Sequence, residues 1–487
     1  MLLQWVNGLG TADVCFSCAK LSTADIQMRP DLGWIESESV LGKGLSAALL
    51  RVHRNRTSGQ QFFISQLVPG VGNPVFRELA YKDVQFPDAG FQMIALFRYW
   101  NIIQYWFPYR DVLEENWDQV LSEFVPRLAL AKDFKSYQLE LMSLIARAHD
   151  THSNLWSSLQ VRPPVGVCQL AVALRFVESQ PVVAGYTTAA SSSEPLKVGD
   201  VLLELDGTSL RSLIAEWTPY YADSNDAARQ RDLAWSMTGC NCGEATVRVN
   251  RDGDSLEIRT RRVRAVAPRI THDLAGDTFR LLSKDVAYLK LSSVKAADVG
   301  RYIDSAAGTK GLIIDIRNYP SEFVVFALGS LLVDHETPFT RFTIGDLSNP
   351  GEFHWQGAPL TLRPLKPHYS GRVVILVDET TQSQAEYTTM AFRASSNATV
   401  IGSITAGADG NVSEFSVPGG LRSMISGIGV FYPDKRPTQR VGIIPDHTVR
   451  PTIAGIRAGR DEVLESALRE ILGPDAADER IREVYKH

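Results

Sequence analysis

Apolar positions along the first third of the chain repeat with helical period. From Phe91, Ile94 and Leu96 through Tyr99, Trp100 and Ile103 the pattern runs on to Phe107 and stops near Pro108. This predicts an aromatic-rich helix over 91–109 whose rings fill a core, because each ring buries a large area. Two more helices are predicted at 117–128 and 134–148, the second with Tyr137, Leu141, Leu144 and Ile145 at helical spacing. Beyond Pro163-Pro164 the texture turns to short alternating strands and keeps it to about Arg264. From about Phe279, apolar runs at 286–291, 311–316, 372–377 and 399–402 alternate with helical stretches, followed by a closing helix at 460–472 and a polar tail from Asp475. Such alternation belongs to an α/β layer fold. The expectation is an α/β multidomain protein: a mainly helical domain over 1–160, a β module over 161–265 and an α/β domain over 266–487.

Two segments carry candidate chemistry. His152 lies in Asp150-Thr151-His152-Ser153, directly after the third predicted helix, and Ser383 lies in Thr381-Gln382-Ser383-Gln384-Ala385-Glu386. Ser383 follows the β-branched run 372–377 and precedes a stretch that reads as a helix from Ala385 to Arg393. A serine at that junction sits at the carboxyl edge of a parallel sheet, where α/β proteins place their sites. The helix start adds free backbone N–H groups and a positive dipole end, so an oxyanion would find donors at Gln384 and its neighbours. Together the two segments read as a split serine-hydrolase site.

Composition narrows the class without choosing the function. The chain has 487 residues, 44% hydrophobic and 22% charged, an ordinary globular composition with length for several domains. A net charge of −5 and the lack of Lys/Arg clusters interleaved with aromatics exclude nucleic acid as the main partner. No apolar stretch approaches the ~20 residues of a membrane span. The opening Met1-Leu2-Leu3-Gln4-Trp5 lacks the basic and apolar regions of a signal peptide, so the expectation is a cytoplasmic protein, or a periplasmic or secreted one whose leader was trimmed. Cys15, Cys18, Cys240 and Cys242 form a CxxC and a CxC that could build a four-thiolate zinc site; a local disulfide and free thiols are the other readings. The histidines show no metal-ligand spacing, so no catalytic metal and no cofactor are expected.

Within the β module, Leu196-Lys197-Val198-Gly199-Asp200-Val201-Leu202-Leu203-Glu204-Leu205-Asp206-Gly207-Thr208 looks like the signature of a PDZ domain. The resemblance implies capture of an extended polypeptide as an added strand, with Leu196, Gly199 and Asp200 at the peptide site. Taken with Asp150-Thr151-His152-Ser153, Asp315-Ile316-Arg317-Asn318-Tyr319-Pro320, the Ser383 segment and Gly442-Ile443-Ile444-Pro445-Asp446-His447, the chain from about Arg77 to Leu472 resembles the tail-specific, or C-terminal-processing, serine peptidases and their tricorn-like relatives. That resemblance implies a crotonase-like catalytic domain and a polypeptide substrate.

One branch of that family activates its serine through a lysine, the other through a histidine. Here Ala408 stands where the lysine would fall, and an alanine cannot take a proton. The resemblance therefore points to the histidine branch, with Ser383 as nucleophile and His152 as base, since an imidazole of ordinary pKa suits that work near neutrality. Backbone N–H groups of Gln384 and of the turn after Arg317 would hold the oxyanion. The family usually places paired glycines there, where this chain has Ser321-Glu322, and because Pro320 has no N–H, Ser321 is the second expected donor. Thr151 replaces a serine that assists the histidine in the relatives, and Gln439 falls where they carry a glutamate. Those departures leave two rivals to an endopeptidase: a degenerate member binding a hydrophobic ligand, as a retinoid carrier of this fold does, and a PDZ-type peptide-binding scaffold.

Overall fold

All positions of the strand Arg372–Val377 except the first are buried, the pattern of a strand covered on both faces. In this computed structural model, which describes residues 1–10, 25–55, 62–66, 71–187, 194–264 and 271–484, that strand lies inside a six-stranded sheet. Val286–Lys290, Gly311–Asp315, Arg372–Val377, Ala398–Gly402 and His447–Thr448 run parallel in that order, and Phe279–Ser283 pairs antiparallel at the far edge. Strand ends align through Asp315 beside Leu376 and Val377 beside Gly402. Gly402 has φ of 139°, and a Cβ there would lie 1.8 Å from the Val377 carbonyl oxygen, so only glycine lets the two strands finish side by side.

The helix Glu462–Leu472 covers one face, packing Val463, Leu464 and Leu468 against Ile313, Val374 and Ile401. The expected polar tail is instead a helix, Pro474–Val484. Ala477 is buried and Ile481 and Val484 pack on the same core; their i, i+4, i+7 spacing is diluted by charged neighbours, which is why the segment reads as polar.

The chain divides into two compact units. One comprises Met1–Leu130, Arg341–Ala358 and Asn411–Val430, the other Ala131–Thr340, Pro359–Gly410 and Phe431–His487. In the first, helices Ala89–Trp106 and Trp117–Ala129 are stitched by reciprocal bonds, the Trp100 indole donating to the Trp117 carbonyl at 2.8 Å and the Trp117 indole to that of Trp100 at 3.0 Å. Tyr99 of the first helix packs its ring 5.8 Å from that of Phe415, on a hairpin of Val412–Val417 with Leu421–Ser426. The predicted boundaries of both helices hold to within a few residues.

The second unit holds the α/β sheet, the helix Phe134–Ala146 and a further antiparallel sheet. Its order is Cys168–Leu170, Asp254–Arg264, Gly243–Arg251, Val201–Leu205, Gln180–Tyr186, Val172–Val177, with the helix Asp226–Ser236 beside it. Cys168 and Cys242 form a disulfide, with Cα atoms 5.0 Å apart, and Cys240 is a free thiol. The CxC is therefore not half of a four-thiolate zinc site, because Cys242 is spent on Cys168. Cys15 and Cys18 lie outside the described residues.

Candidate active site

Ser383 stands at the head of the helix Gln384–Arg393, with φ 56° and ψ −121°. Non-glycine residues adopt that backbone at a cost of about 1–3 kcal/mol and keep it only where the surroundings enforce it. A comparably strained strand-to-helix turn exposes the nucleophile of α/β-hydrolases. Here the Ser383 N–H donates to the Ala408 carbonyl at 2.9 Å and to Glu386 Oε2 at 3.1 Å.

Glu386 is fully buried and has no cationic partner among its bonds; it is satisfied by donors. Its carboxylate accepts from the Thr405 hydroxyl, from the Gly407 N–H at 2.8 Å and the Ala408 N–H at 3.0 Å, and from Ser383. Burial pushes its pKa up, and those four donors work against that shift. The carboxylate thus fastens the 405–408 loop to the turn bearing Ser383. Gly407 completes the loop at φ 68°, where a Cβ would press within 2.9 Å of Arg440 backbone.

That loop also reaches the histidine segment. The Thr151 hydroxyl lies 3.3 Å from the Ala406 carbonyl and 2.9 Å from the Ser224 hydroxyl, while the Ser224 N–H donates to Thr151 Oγ1 at 2.9 Å. Asn225 clamps the other side, donating to the Thr405 carbonyl at 2.8 Å. His152, 7% exposed, follows directly. Its Nδ1 lies 3.8 Å from Asp150 Oδ1, and its backbone N–H donates to the same oxygen at 3.2 Å. Burial pushes the His152 pKa below the ordinary imidazole value; Asp150 opposes this and Arg231 adds to it.

Of the other residues singled out in the sequence, Gln439 is buried and its amide donates to Asp150 Oδ1 at 3.2 Å, so it bears on Asp150 rather than on a hydroxyl. Gln384 occupies the first helical position. Ser321 is differently engaged: its N–H donates to the Leu291 carbonyl at 2.9 Å and its hydroxyl to that of Val294 at 2.6 Å. Its donors face the neighbouring loop. Among the described residues, the N–H groups of Asn318 and Tyr319 have no acceptor. Leu196, Gly199 and Asp200 serve their own module: Leu196 is in its core, the Gly199 N–H donates to Val183 at 2.8 Å, and Asp200 takes Arg251 through both oxygens at 2.6 Å.

Sequence reasoning assigned no role to Asp150, Glu386, Ser224, Tyr319 or Asp409. Asp150, Glu386 and Tyr319 lie inside the segments it quoted, but burial and partners are needed to see what they do. Burial raises the pKa of the Tyr319 phenol, and the neighbouring Ser383 side chain and Gln384 backbone work against that shift. Asp409 is buried, with one oxygen accepting from Gly410 N–H at 2.6 Å and the other without a partner among the described residues. Burial, reinforced by the charge of Glu386, holds its carboxyl well above the usual range.

A serine on a strained turn after a parallel strand, with the segment of a buried imidazole bonded to the same 405–408 loop, lies within an α/β domain. Residues 285–449 match peptidase family S41, and the chain carries a domain of that family, the tail-specific proteases. A domain of this family implies a serine-type protease acting on polypeptide. Among solved structures the chain is similar to mature CPAF complexed with lactacystin, at 14% identity over 81% of this chain and 99% of that one, with a TM-score of 0.62. It is also similar to a putative peptidase from Parabacteroides merdae, at 16% identity over 79% of this chain and 97% of that one (TM-score 0.48), and to the photosystem II D1 C-terminal processing protease, at 14% identity over 79% and 98% (TM-score 0.44). The first likeness establishes the shared fold. No curated protein matches the chain in sequence.

Proposed function

We propose that the protein is a histidine-dependent serine endopeptidase of unstructured polypeptides. The observation that carries this reading is the strained turn at Ser383, locked by Glu386 onto the same 405–408 loop that receives Thr151 beside His152. Ser383 Oγ attacks the scissile carbonyl, His152 takes its proton and returns it to the leaving amine, and the acyl-enzyme is then hydrolysed by water activated by the same imidazole. Asp150 offsets the charge of the imidazolium, and Gln439 and Thr151 hold the segment. The oxyanion is received by the N–H of Gln384 together with that of Asn318 or Tyr319, in place of Ser321.

Labelling by a fluorophosphonate probe tests this without knowledge of the substrate. Wild type is expected to react, and Ser383→Ala and His152→Ala are expected not to. A folded wild-type protein that stays unlabelled would transfer the case to the ligand-binding reading.

The lowered pKa of His152 sets the pH dependence. The base works when neutral, so the acid limb of kcat/KM should lie below the ordinary imidazole pKa of about 6.5. Asp150→Asn removes the group that raises that pKa, so the limb should move further toward acid while kcat falls about 100-fold or more. An unmoved limb in that variant would remove Asp150 from the mechanism.

Tyr319 neighbours Ser383 and the Gln384 backbone, so its phenol oxygen competes with an oxyanion for the Gln384 N–H. Tyr319→Phe is therefore expected to speed fluorophosphonate labelling about 3–10-fold, the equivalent of one neutral hydrogen bond. Slower labelling would make the phenol a donor to the oxyanion instead.

The substrate side chain beside the cut is read as apolar. Phe323 and Phe326 are substantially exposed next to Tyr387, one turn along the helix from Ser383, with the Phe323 and Tyr387 rings stacked 6.4 Å apart. For the chain end, the β module offers the strand Val172–Val177, which lies at the edge of its sheet. A polypeptide could add there as a further strand in the PDZ manner. The Cys168–Cys242 disulfide supports an oxidising compartment such as a bacterial periplasm.

A further inference from the structure

We propose that Asp346, Glu352 and His354 form a binding site for a divalent transition metal, with zinc as the ion it takes. Asp346 and Glu352 stand at the two ends of the tight connection Asp346-Leu347-Ser348-Asn349-Pro350-Gly351-Glu352 between the strands Thr337–Gly345 and Phe353–Trp355, and His354 is the middle residue of the second strand. The ends of the connection are closed by backbone bonds from Asp346 to the Glu352 carbonyl at 2.9 Å and from Glu352 to that of Asn349 at 3.0 Å. One carboxylate oxygen of Asp346, one of Glu352 and a ring nitrogen of His354 all lie within 4.8 Å of one another.

The second oxygens of the two acids show how the first are aimed. Asp346 Oδ1 is held by the N–H and hydroxyl of Ser348, both at 2.7 Å, and Glu352 Oε2 by the Asn349 amide at 2.9 Å. Each carboxylate is thus tethered through one oxygen and presents the other to the cluster, the arrangement by which outer hydrogen bonds orient metal ligands. Glu352 is 4% exposed, and its presented oxygen has no hydrogen-bond partner among the described residues. A buried anionic oxygen without a donor is costly.

The imidazole does not supply that donor. His354 Nε2 lies 2.8 Å from Glu352 Oε1 and 3.9 Å from Asp346 Oδ2, yet the close pair lacks the direction of a hydrogen bond. Two ligand atoms on bonds of ~2.0–2.2 Å to one tetrahedral ion are about 3.3–3.6 Å apart, so His354 Nε2 and Glu352 Oε1, at 2.8 Å, separate by about half an ångström when the ion enters between them. A small rotation of Asp346 brings the third ligand to the same ion. His354 is itself fixed between two strands, opposite Ile26 on one side and Ile344 on the other. One imidazole and two carboxylates suit zinc, and the partial exposure of His354 and Asp346 leaves water for a fourth position. The comparable cluster of His272, Asp378 and Glu379 is different, because Arg175 already pairs with both acids, Glu379 at 2.7 Å and Asp378 at 3.2 Å.

The test is zinc chloride added to the full chain after chelation and dialysis, read by calorimetric titration and thermal melting. One equivalent is expected to bind and to raise the melting temperature. Glu352→Gln and His354→Asn are each expected to weaken binding by about 100-fold. Cobalt in place of zinc should give a ligand-field spectrum without a thiolate charge-transfer band. Absence of binding by wild type, binding by both variants as tight as by wild type, or a thiolate band would each overturn the proposal. The cobalt spectrum of the wild type decides the matter even if a variant fails to fold.

Discussion

Replacing Ser383 by glycine is expected to raise the melting temperature of the protein and to end its hydrolytic activity in the same step. The residue holds φ 56° and ψ −121°, a conformation glycine adopts without a Cβ penalty. Relief of strain of ~1–3 kcal/mol outweighs the entropy glycine loses on folding, ~0.5–1 kcal/mol, for a net gain of about 1 kcal/mol. In a unit of this size that corresponds to roughly 1–2 °C. Ser383→Ala keeps the Cβ and the strain, so it should melt with the wild type. Both variants should lose about 10⁴–10⁶-fold in kcat/KM for an unfolded protein substrate, the range expected when a nucleophile is removed. Thermal melting alongside casein cleavage decides it: a Ser383→Gly variant less stable than Ser383→Ala would show that the turn is not strained, and surviving cleavage in either would remove Ser383 from the chemistry.

Glu386→Ala should be the most destabilising single change near the site. It leaves the Thr405 hydroxyl and the N–H groups of Gly407, Ala408 and Ser383 without their acceptor in a buried place. Each such group costs about 1–3 kcal/mol, and with some water entering the cavity the sum should be on the order of 4–5 kcal/mol. Glu386→Gln keeps the volume but turns an amide toward backbone donors, for a loss of about 2–3 kcal/mol. Fluorophosphonate labelling should fall in both, because the loop that aligns the two halves of the site loosens. Asp409→Asn is the control. That carboxyl stays protonated in the fold well above the ordinary carboxylate range, so an amide of the same shape should change stability by less than about 1 kcal/mol near pH 4. The sign of the pH effect follows: above that range the unfolded chain releases the Asp409 proton while the folded one retains it, so wild-type stability declines as pH rises toward the folded pKa, and the asparagine variant escapes this part of the decline. Urea unfolding across pH 4–8 measures all three variants; a Glu386→Gln protein as stable as wild type would sink the account of the loop.

Much of the catalytic layer was legible because its signals are local. The run Arg372–Val377 is apolar and β-branched on both faces, and the helix after it starts within a residue of where periodicity places it. The helix Phe134–Ala146, with Tyr137, Leu141, Leu144 and Ile145 inward, ends where the chain must turn to present His152. Opposite cases show the limit. The helix Pro474–Val484 was hidden because its three inward residues, Ala477, Ile481 and Val484, are spread among charges and acquire meaning only from the sheet they cover. Ser321 has the right position in sequence for an oxyanion donor, but its N–H is drawn to Leu291, a partner thirty residues away.

The sequence by itself determined the class of the chain: alternating strands and helices, a serine at a strand end, a histidine after a helix, and no lysine where one branch of the family needs it. These are statements about periodicity and residue type, which the order of residues carries directly. Tertiary structure decided what surrounds each of those groups. The φ of Ser383, the burial that lowers the pKa of His152, the placement of Asp150 beside it, the four donors around Glu386 and the convergence of Asp346, Glu352 and His354 all depend on distances between chemical groups in space. Electrostatic and hydrogen-bond energies fall steeply with distance and rise with desolvation, so they exist only once the fold has brought separated segments together and excluded the water between them.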